Sequence, residues 1–293
     1  MSYPKISIIT PSYNQGEFIE ETIQSVIGQN YPNLEYIIVD GGSTDQTLDV
    51  IKKYESFISK WVSEKDNGQS HAINKGIAMS TGSIIAWLNS DDFYLPGSLN
   101  YMSEQFNKFV GPTIHYLNCI HLQYKNGIPS TYVSNVGKYK LQELEVFDYI
   151  IQPSTFWNRP TLEEVGFLRE DLNFGFDWEW FLRAKSLGVS FYSGKKVLSV
   201  YRIHDKHKTG TGGNSRQLEL LKIYKESGSK YADLFEKLMN ENLNSNDFSY
   251  KLISKFFSFL GQSKSYIDIL KFLKSEKYGK YSENEIKSVM STL

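Results

Sequence analysis

The sequence predicts an α/β fold, a mixed sheet flanked by helices, followed by a helical C-terminal region. Between residues 6 and 88, short β-rich runs alternate with segments whose apolar residues recur at helical spacing, and this alternation is typical of βαβ units. Beyond residue 215 the apolar residues recur at helical spacing only. We therefore predict a first domain at residues 1–215 and a helical region at residues 216–293.

Four strands and three helices are predicted in alternation. The strands lie at residues 6–10, 36–39, 61–63 and 84–88, and the helices at residues 18–27, 48–54 and 69–79. Each strand is predicted from a short apolar run, and each helix from apolar residues three and four positions apart. Ligands of open α/β sheets gather at the carboxyl ends of the strands, so the residues that follow each strand are examined for chemistry.

Two further regions are predicted from local patterns. Residues 113–136 are predicted to form a hairpin or a pair of strands, with Asn126-Gly127 as the turn signal. In the tail, residues 231–238 and 252–260 have helical spacing. For the tail we weigh a packed appendage, a homodimer contact, and an in-plane membrane contact through Phe256, Phe257, Phe259 and Leu260.

Composition limits the functional classes. The chain has 293 residues, 40% of them apolar, and 32 Lys+Arg against 33 Asp+Glu give a net charge of -1. Such a chain is globular, and without long basic runs it lacks the electrostatic basis for binding nucleic acid. A single cysteine, Cys119, excludes an internal disulfide. No segment resembles a signal or spanning helix, so we expect a cytoplasmic protein, with peripheral contact on the inner membrane face as an option.

The residues after the first two strands suit a nucleoside. The first strand ends in Thr-Pro-Ser-Tyr-Asn, and the glycine-rich phosphate motifs of dinucleotide folds and P-loops are missing from the sequence. The ring of Tyr13 can stack on a flat base, and Asp40 can accept a hydrogen bond from a ring N–H. The alternative is a turn in which Ser43 and Asp45 cap the next helix.

The fourth strand ends in Asn-Ser-Asp-Asp at residues 89–92. Adjacent carboxylates repel each other unless a cation joins them, and oxygen ligands suit Mg²⁺ or Mn²⁺, which also bind a diphosphate. The sequence therefore predicts a metal and diphosphate site. The alternative, a solvated Asp-Asp turn, fits poorly after a buried apolar run.

Five motifs follow one another along the chain. They are Thr-Pro-Ser-Tyr-Asn at 10–14, Val-Asp-Gly-Gly-Ser-Thr-Asp at 39–45, Glu-Lys-Asp-Asn-Gly-Gln at 64–69, Ala-Ile-Asn-Lys-Gly at 72–76 and Asn-Ser-Asp-Asp at 89–92. In this order they resemble the family 2 glycosyltransferases of the GT-A fold, over about the first 215 residues. The resemblance implies a Rossmann-like mixed sheet, a nucleotide-sugar donor (commonly a UDP-sugar), Mn²⁺ or Mg²⁺, and inversion at the anomeric carbon.

The resemblance also implies donor-binding residues. Pro11, Tyr13 and Asp40 match the base and ribose pocket. Asp66 and Asn74 match a polar group that closes over the nucleoside and the donor sugar. His71 stands where relatives often carry Asp, and we assign it no role.

Acidic residues and one histidine match the metal and diphosphate motif. Asn89 stands where relatives often carry Asp, so it is expected to orient the sugar or ribose. Asp91 is grouped with the nucleotide-sugar contacts, and Asp92 with His204 as metal ligands, since Arg202-Ile203-His204 resembles the family's Arg-x-His element. Residues 206–208 add positive charge, and residues 209–214 are either a lid or a plain linker.

An inverting transfer needs a base that takes the proton of the acceptor hydroxyl. Asp177 is the candidate, because residues 174–184 resemble the family's acidic motif at the start of an amphipathic helix. The alternative role for Asp177 is helix capping. Trp157 and Trp178 are candidates for stacking on the acceptor sugar, although tryptophans at such positions are more often core.

Taken together, the sequence predicts an inverting glycosyltransferase that forms a β-linkage on a glycan or lipid-linked acceptor in bacterial surface polysaccharide biosynthesis. One alternative is a nucleotidyltransferase of related fold, which would usually show a glycine-rich basic loop after its first strand. Another is a non-catalytic sugar-nucleotide-binding or scaffold protein, which the carboxylates at positions 91, 92 and 177 argue against.

Overall fold

A computed structural model describes residues 3–125, 128–204, 208, 212–244 and 280–293. Within these ranges, nine strands form one mixed sheet. In chain order they are β1 (Ile6–Ser12), β2 (Leu34–Asp40), β3 (Lys60–Ser63), β4 (Ile84–Trp87), β5 (Phe93–Tyr94), β6 (Thr113–Lys125), β7 (Ile128–Val133), β8 (Thr155–Asn158) and β9 (Ser190–Ile203). The fold class is therefore as predicted.

Helices flank the sheet and continue after it. They are α1 (Ile19–Ile27), α2 (Thr47–Lys53), α3 (Gln69–Met79), α4 (Ser98–Phe106), α5 (Arg159–Val165), α6 (Phe176–Ser186), α7 (Gly213–Glu226), α8 (Ala232–Asn244) and α9 (Glu283–Met290). The four strands and three helices predicted up to residue 88 are confirmed. Strands β1 and β2 run longer than predicted because their ladder continues to the pair Ser12 and Asp40.

The strand directions bring one end of most strands to the same edge of the sheet. The order is β3-β2-β1-β4-β8-β6-β9-β5, with β7 paired to β6. Strands β1 to β4 are parallel, and β8 is antiparallel to both β4 and β6. Strand β6 therefore runs in the same direction as β4, and β9 is parallel to β6. The carboxyl ends of β1, β2, β4, β6 and β9 share an edge with the amino end of β8.

Apolar side chains fill the space on both faces of the sheet. On one face, Ile8 and Ile38 pack with Ile23 of α1 and Met102 of α4. On the other face, Ile37 and Val39 pack with residues of α3. This face also carries three tryptophans in contact. The ring of Trp157 lies 5.2 Å from that of Trp87, edge to face, and 5.0 Å from the tilted ring of Trp180.

The predicted hairpin consists of β6 and β7, whose residues pair antiparallel from Ile120 and Val133 to Lys125 and Ile128. The predicted turn at residues 126–127 lies outside the described residues.

The chain divides into two compact units, one of Met1–Leu141 with Tyr149–Gly212, the other of Gln142–Asp148 with Gly213–Leu293. In the second unit the ring of Tyr224 on α7 lies 4.9 Å from that of Phe235 on α8. The predicted helix at residues 231–238 is confirmed in α8, whereas residues 252–260 lie outside the described part of the chain. The functional division predicted at residue 215 stays a prediction. Among the described helices, none has the length and apolarity needed to cross a membrane.

Candidate functional site

The predicted site residues lie at the edge where the strands end. The ladder register sets Ser12 opposite Asp40, Asp40 opposite Ser63, and Ile9 opposite Trp87. The loops that follow β1, β2, β3 and β4 therefore leave the sheet side by side. This is the edge at which open α/β sheets bind ligands.

Tyr13 is the first residue after β1 at this edge of the sheet. Its side chain is 61% exposed, whereas Pro11, two residues earlier in β1, is buried. A pocket of ≈ 420 Å³ next to the ring is lined by Tyr13, Asn14, Gln15, Glu17, Phe18, Asp45 and Gln46. The backbone N–H of Gly16 and that of Thr47 both donate to Asp45, which holds the loop after β1 against the start of α2.

Asp40 has no exposed surface, and its carboxylate accepts hydrogen bonds from the loop that follows it. Its Oδ2 accepts hydrogen bonds from the backbone N–H of Gly42 (3.0 Å), that of Ser43 (2.8 Å) and the hydroxyl of Ser63 (2.6 Å). Its Oδ1 accepts one from the Ser43 hydroxyl. A hydrogen bond from a base to Asp40, as predicted from the sequence, would have to displace one of these donors.

Asp66 and Asn74 were predicted together, but the structure separates their roles. Asp66 Oδ1 accepts from the Gly68 N–H (2.9 Å), and a Cβ on Gly41 would lie 2.6 Å from Asp66 Oδ2. Gly41 is therefore what lets this carboxylate lie against the loop after β2. Asn74 is buried, and its amide nitrogen donates to the Leu168 carbonyl and to Glu170. It anchors the segment that precedes α6, and its predicted role at the donor sugar stays a prediction.

A short polar network crosses the edge from α3 to the turn before β8. The amide of Gln69 donates to Asn89 Oδ1 (2.8 Å), and the amide of Asn89 donates to Gln152 (3.4 Å). Lys208 donates to the Gln69 side-chain oxygen (3.2 Å) and lies over the Phe176 ring, 5.6 Å from its centroid. Asn89 is thus held at the centre of the edge, and one positive charge lies beside it.

Asp91 and His204 form the closest acidic and imidazole pair of the site. His204 Nε2 lies 3.1 Å from Asp91 Oδ2, and the side chains are 13% and 19% exposed. The Phe18 ring packs against the imidazole, with centroids 4.5 Å apart and 32° between the ring planes. The pair joins residues that are distant in sequence, because β5 pairs with the end of β9 and brings His204 to the loop after β4.

Asp92, the predicted metal ligand, is buried next to this pair, and among the described residues its Oδ2 has no hydrogen-bond partner. Its side chain has no exposed surface, and Oδ1 accepts from the Arg202 backbone N–H (2.9 Å). Burial, and then the charge of Asp91, raise the pKa of Asp92 well above its usual range. The carboxylate that faces the edge is therefore that of Asp91.

Asp177 lies in the first turn of α6, as predicted, and is half-buried. Its Oδ1 accepts from the backbone N–H of Trp178 (2.9 Å). The preceding residue, Phe176, packs 6.4 Å from Trp87 at the end of β4, which keeps this turn near the edge. Trp157 and Trp178 are each only 1% exposed, so neither can present a ring face to a sugar, and their predicted acceptor role is wrong.

This leaves His71 and the segment predicted as a lid or linker. His71 Nδ1 accepts from the Asn67 backbone N–H (3.1 Å), which stabilises the loop before α3. Gly213 and Asn214 begin α7, so this end of the predicted lid is helical. The remainder of that segment, residues 209–211, and the positions 206 and 207 lie outside the described residues.

Three further residues contribute to the site, although the sequence analysis gives none of them a role of its own. Phe18 was assigned only to a helix, yet its ring supports His204 and lies 5.0 Å from the Arg202 guanidinium. Arg202 also pairs with Glu21 (2.6 Å). Gln152 accepts from the Asn89 amide (3.4 Å). The spacing of Arg202 and His204 is the one feature of the sequence that indicates a site here. Phe18 and Gln152 reach the site through contacts between distant segments, which the sequence does not indicate.

The side chains at this edge of the sheet can hold a divalent cation only if a bound molecule provides further coordinating atoms. Within the described ranges, no group of three or more His, Cys, Asp or Glu side chains could hold a metal ion. Asp91 and His204 provide one oxygen and one nitrogen ligand. Such a pair fits an ion whose other ligands are phosphate oxygens and water.

Comparison with known proteins gives consistent matches. A family model described as glycosyl transferase family 2 matches residues 7–166. The GalNAc(5)-diNAcBac-PP-undecaprenol beta-1,3-glucosyltransferase of Campylobacter jejuni is 26% identical over 264 residues, which are 85% of this chain and 78% of that protein.

Two solved structures share the fold. Staphylococcus aureus TarS 1-349 in complex with UDP-GlcNAc matches with a TM-score of 0.63 at 17% identity, over 99% of this chain and 79% of that one. The mannosyltransferase PcManGT from Pyrobaculum calidifontis, in complex with GDP-Man and Mn²⁺, matches with a TM-score of 0.61 at 16% identity, over 100% and 86%.

Proposed function

The chain belongs to glycosyl transferase family 2, and from this membership we propose that it transfers a sugar from a nucleotide diphosphate sugar to a hydroxyl of a glycan or lipid-linked acceptor, with inversion at the anomeric carbon. The observation that carries the proposal is the Asp91 and His204 pair at the carboxyl edge of the sheet. It lies beside the loop that presents the exposed ring of Tyr13.

The proposed donor is a UDP-sugar. The Tyr13 ring provides a flat surface for the base, and the pocket beside it has room for a nucleoside. The UDP-GlcNAc complex of TarS supports uridine, and the GDP-Man complex of PcManGT defines the alternative. Asn89, held by Gln69, orients the sugar or the ribose.

The proposed metal ligands are Asp91 and His204, with Asp91 taking the role predicted for Asp92. The imidazole nitrogen favours Mn²⁺ over Mg²⁺, since Mg²⁺ prefers oxygen ligands only. When bound, the ion neutralises charge that develops on the departing diphosphate. Phe18 keeps the imidazole facing Asp91, and Lys208 adds a positive charge toward the same leaving group.

Asp177 is the proposed base. Its carboxylate lies in the first turn of α6, near the end of β4, and is open to solvent in part. It takes the proton of the acceptor hydroxyl as that oxygen attacks the anomeric carbon, and the bond to the nucleoside diphosphate breaks on the opposite face of the sugar. A single displacement of this kind turns an α-linked donor into a β-linked product.

The proposed acceptor class is a glycan or lipid-linked oligosaccharide of bacterial surface polysaccharide biosynthesis. The Campylobacter relative is named for an undecaprenol-linked acceptor, which supports this class. We assign the chemistry to residues 1–215. Peripheral membrane contact and a homodimer stay predictions, since the residues proposed for the membrane contact lie outside the described ranges.

The test is donor binding and hydrolysis with purified full-length protein. A panel of UDP-, GDP- and dTDP-sugars is titrated with Mn²⁺, Mg²⁺ or EDTA. We expect metal-dependent hydrolysis of one UDP-sugar. Asp91→Ala and His204→Ala should lose metal-dependent binding, whereas Asp177→Asn should bind the donor and Mn²⁺ but form no product with an acceptor.

The matched control is Asp49→Asn, an exposed carboxylate on α2, which should behave as wild type. If no nucleotide sugar binds with either metal, the transferase proposal fails and a scaffold role becomes the better account. If Asp177→Asn keeps full transfer activity, another group is the base.

A further inference from the structure

A stacked pair of rings lies on the β6–β7 hairpin, outside the donor site. The Tyr132 ring lies 4.4 Å from the His121 ring with an angle of 2° between their planes. His121 is 9% exposed and contacts the Tyr201 ring, 5.6 Å away at 62°. Tyr132 itself is 52% exposed. The buried histidine thus fixes the tyrosine ring, whose other face is open to solvent.

Polar side chains adjoin this open ring. Gln123 pairs with Ser130 in the hairpin ladder, two positions from the pair of His121 and Tyr132. Because side chains alternate along a strand, all four point to the same face. Burial lowers the pKa of His121, which disfavours a positive charge on the stack. A flat apolar ring beside an amide and a hydroxyl matches a pyranose, which has one C–H face and hydroxyls around its edge.

The stack is linked to the proposed reaction centre through β9 and the turn before β8. Ser199 and Tyr201 are two apart in β9 and share a face, and the Ser199 hydroxyl lies 2.6 Å from that of Ser154. Ser154 belongs to the turn whose Gln152 accepts from Asn89. The Ser154 hydroxyl also donates to the Asn118 carbonyl (2.9 Å) in β6.

From Asn118 to His121, strand β6 advances three positions, or roughly 10 Å. Ser154, Ser199, Gln152 and Asn118 are buried, so these contacts link the hairpin to Asn89 through the protein. Tyr201, which contacts the His121 ring, lies three positions, or roughly 10 Å, before His204, which places the stack near the proposed reaction centre.

We propose that the open face of Tyr132 stacks on a sugar ring of the acceptor glycan, at a subsite beyond the sugar that carries the attacking hydroxyl. This inference rests on the proposed function, since it takes the Asn89 edge as the donor side. A polyprenyl chain would need a continuous apolar groove, whereas Gln123 and Ser130 place polar groups at the edge of the ring. Glycan is therefore the occupant that the surface favours.

The test is saturation-transfer NMR of the full-length protein with defined probes. The probes are the methyl β-glycosides and the β-linked di- and trisaccharides of glucose, galactose, N-acetylglucosamine and N-acetylgalactosamine. We expect saturation of ring C–H protons in at least one series, stronger for the longer sugars. Tyr132→Ala should weaken binding roughly tenfold, whereas Tyr132→Phe should keep it, because the ring face is unchanged.

Tyr124 provides the matched control. It is 59% exposed and occupies the opposite face of the same hairpin, so Tyr124→Ala should bind as wild type. The subsite is refuted if no probe binds wild type, if Tyr132→Ala binds as well as wild type, or if Tyr124→Ala is equally impaired. Titration of the same samples with UDP and Mn²⁺ reports on the donor site, so a failed subsite with intact UDP binding leaves the proposed function standing.

Discussion

At the scale of single residues, the loop after β4 sends two adjacent carboxylates into opposite environments. Asp91 faces His204 at the edge of the sheet, whereas Asp92 points into the protein and accepts from the Arg202 backbone. A buried carboxyl whose pKa is raised is costly to ionise. Adjacent positions in a motif therefore lie in distinct environments, one at the edge of the sheet and one inside the fold.

The amide substitutions of these two residues distinguish the two positions. Asp91→Asn should weaken Mn²⁺ binding in the presence of UDP by at least about tenfold. Asp92→Asn keeps the shape and the Oδ1 acceptor, so its Mn²⁺ affinity should stay within about threefold of wild type. Electron paramagnetic resonance of free Mn²⁺ measures both. The reverse ranking would return the metal role to Asp92.

A second residue-scale prediction concerns His115, which is buried among aromatic rings. Its ring lies 4.5 Å from that of Phe106, and within the described residues Nε2 has no hydrogen-bond partner. Burial, and then the nearby charge of Lys108, lower the pKa of His115 to about 4. The unfolded chain therefore takes up this proton first as pH falls, and the fold loses stability between about pH 6.5 and 4.

The loss from this group should reach about 3 kcal/mol at the acid end of that window. Urea unfolding at pH 7 and pH 5 measures it, with His115→Phe as the variant that keeps a ring without the titration. The variant should lose less stability than wild type between the two values. Equal losses would mean that His115 does not carry this part of the pH dependence.

At the scale of elements, α3 lies unusually close to β1. A Cβ on Gly76 would lie 2.3 Å from Ile9 Cγ2, a distance that no packing tolerates. This close approach places the amino end of α3, with Gln69 and the preceding Asp66, over the ends of β1 and β2. The glycine in the Ala-Ile-Asn-Lys-Gly motif is thus explained by helix packing, without any contact to a ligand.

Gly76→Ala should therefore lower the free energy of unfolding by about 1–3 kcal/mol through overpacking. The control is Gly137→Ala, where the nearest atom to a new Cβ is 3.8 Å away and little change is expected. Chemical denaturation with circular dichroism measures both. Equal stability of Gly76→Ala and wild type would show that α3 shifts freely against β1.

At the scale of the whole molecule, the two edges of the sheet have different tasks. Opposite the site, Glu35 at the start of β2 accepts from the Ser7 hydroxyl (2.6 Å) and from the Thr81 N–H (2.6 Å). Burial would raise the pKa of Glu35, but these hydrogen bonds outweigh it and hold the pKa at about 2. At the edge far from the site, Glu35 thus joins β2 to β1 and to the segment that precedes β4.

Glu35→Gln should lower the free energy of unfolding by about 2–3 kcal/mol and leave the KM for the donor unchanged. In wild type this contribution is present above the unfolded pKa of about 4.5 and is lost as pH falls toward 2, because the folded carboxylate resists protonation. Thermal unfolding and donor kinetics on the same samples test both parts. A changed KM would show that the two edges are coupled.

How much of the molecule the sequence predicts depends on the range of the contacts. Helix α3 lies where its apolar spacing predicts it, because that pattern is local. The burial of Asp92 depends on Arg202, 110 positions away, and that of Trp157 on its packing against Trp180 of α6. Asn74 is held by Leu168. These outcomes follow from long-range pairing, which no local pattern encodes.

The mixed direction of the sheet has a consequence for how this protein can diversify. The proposed donor contacts up to Asp91 come from the first third of the chain, whereas the hairpin, the turn before β8 and β8 itself form one continuous stretch, residues 113–158. Two recombination points in the gene would exchange that stretch as a cassette. On the proposed function, such an exchange would replace the hairpin subsite and Gln152 while the proposed donor contacts up to Asp91 stay unchanged.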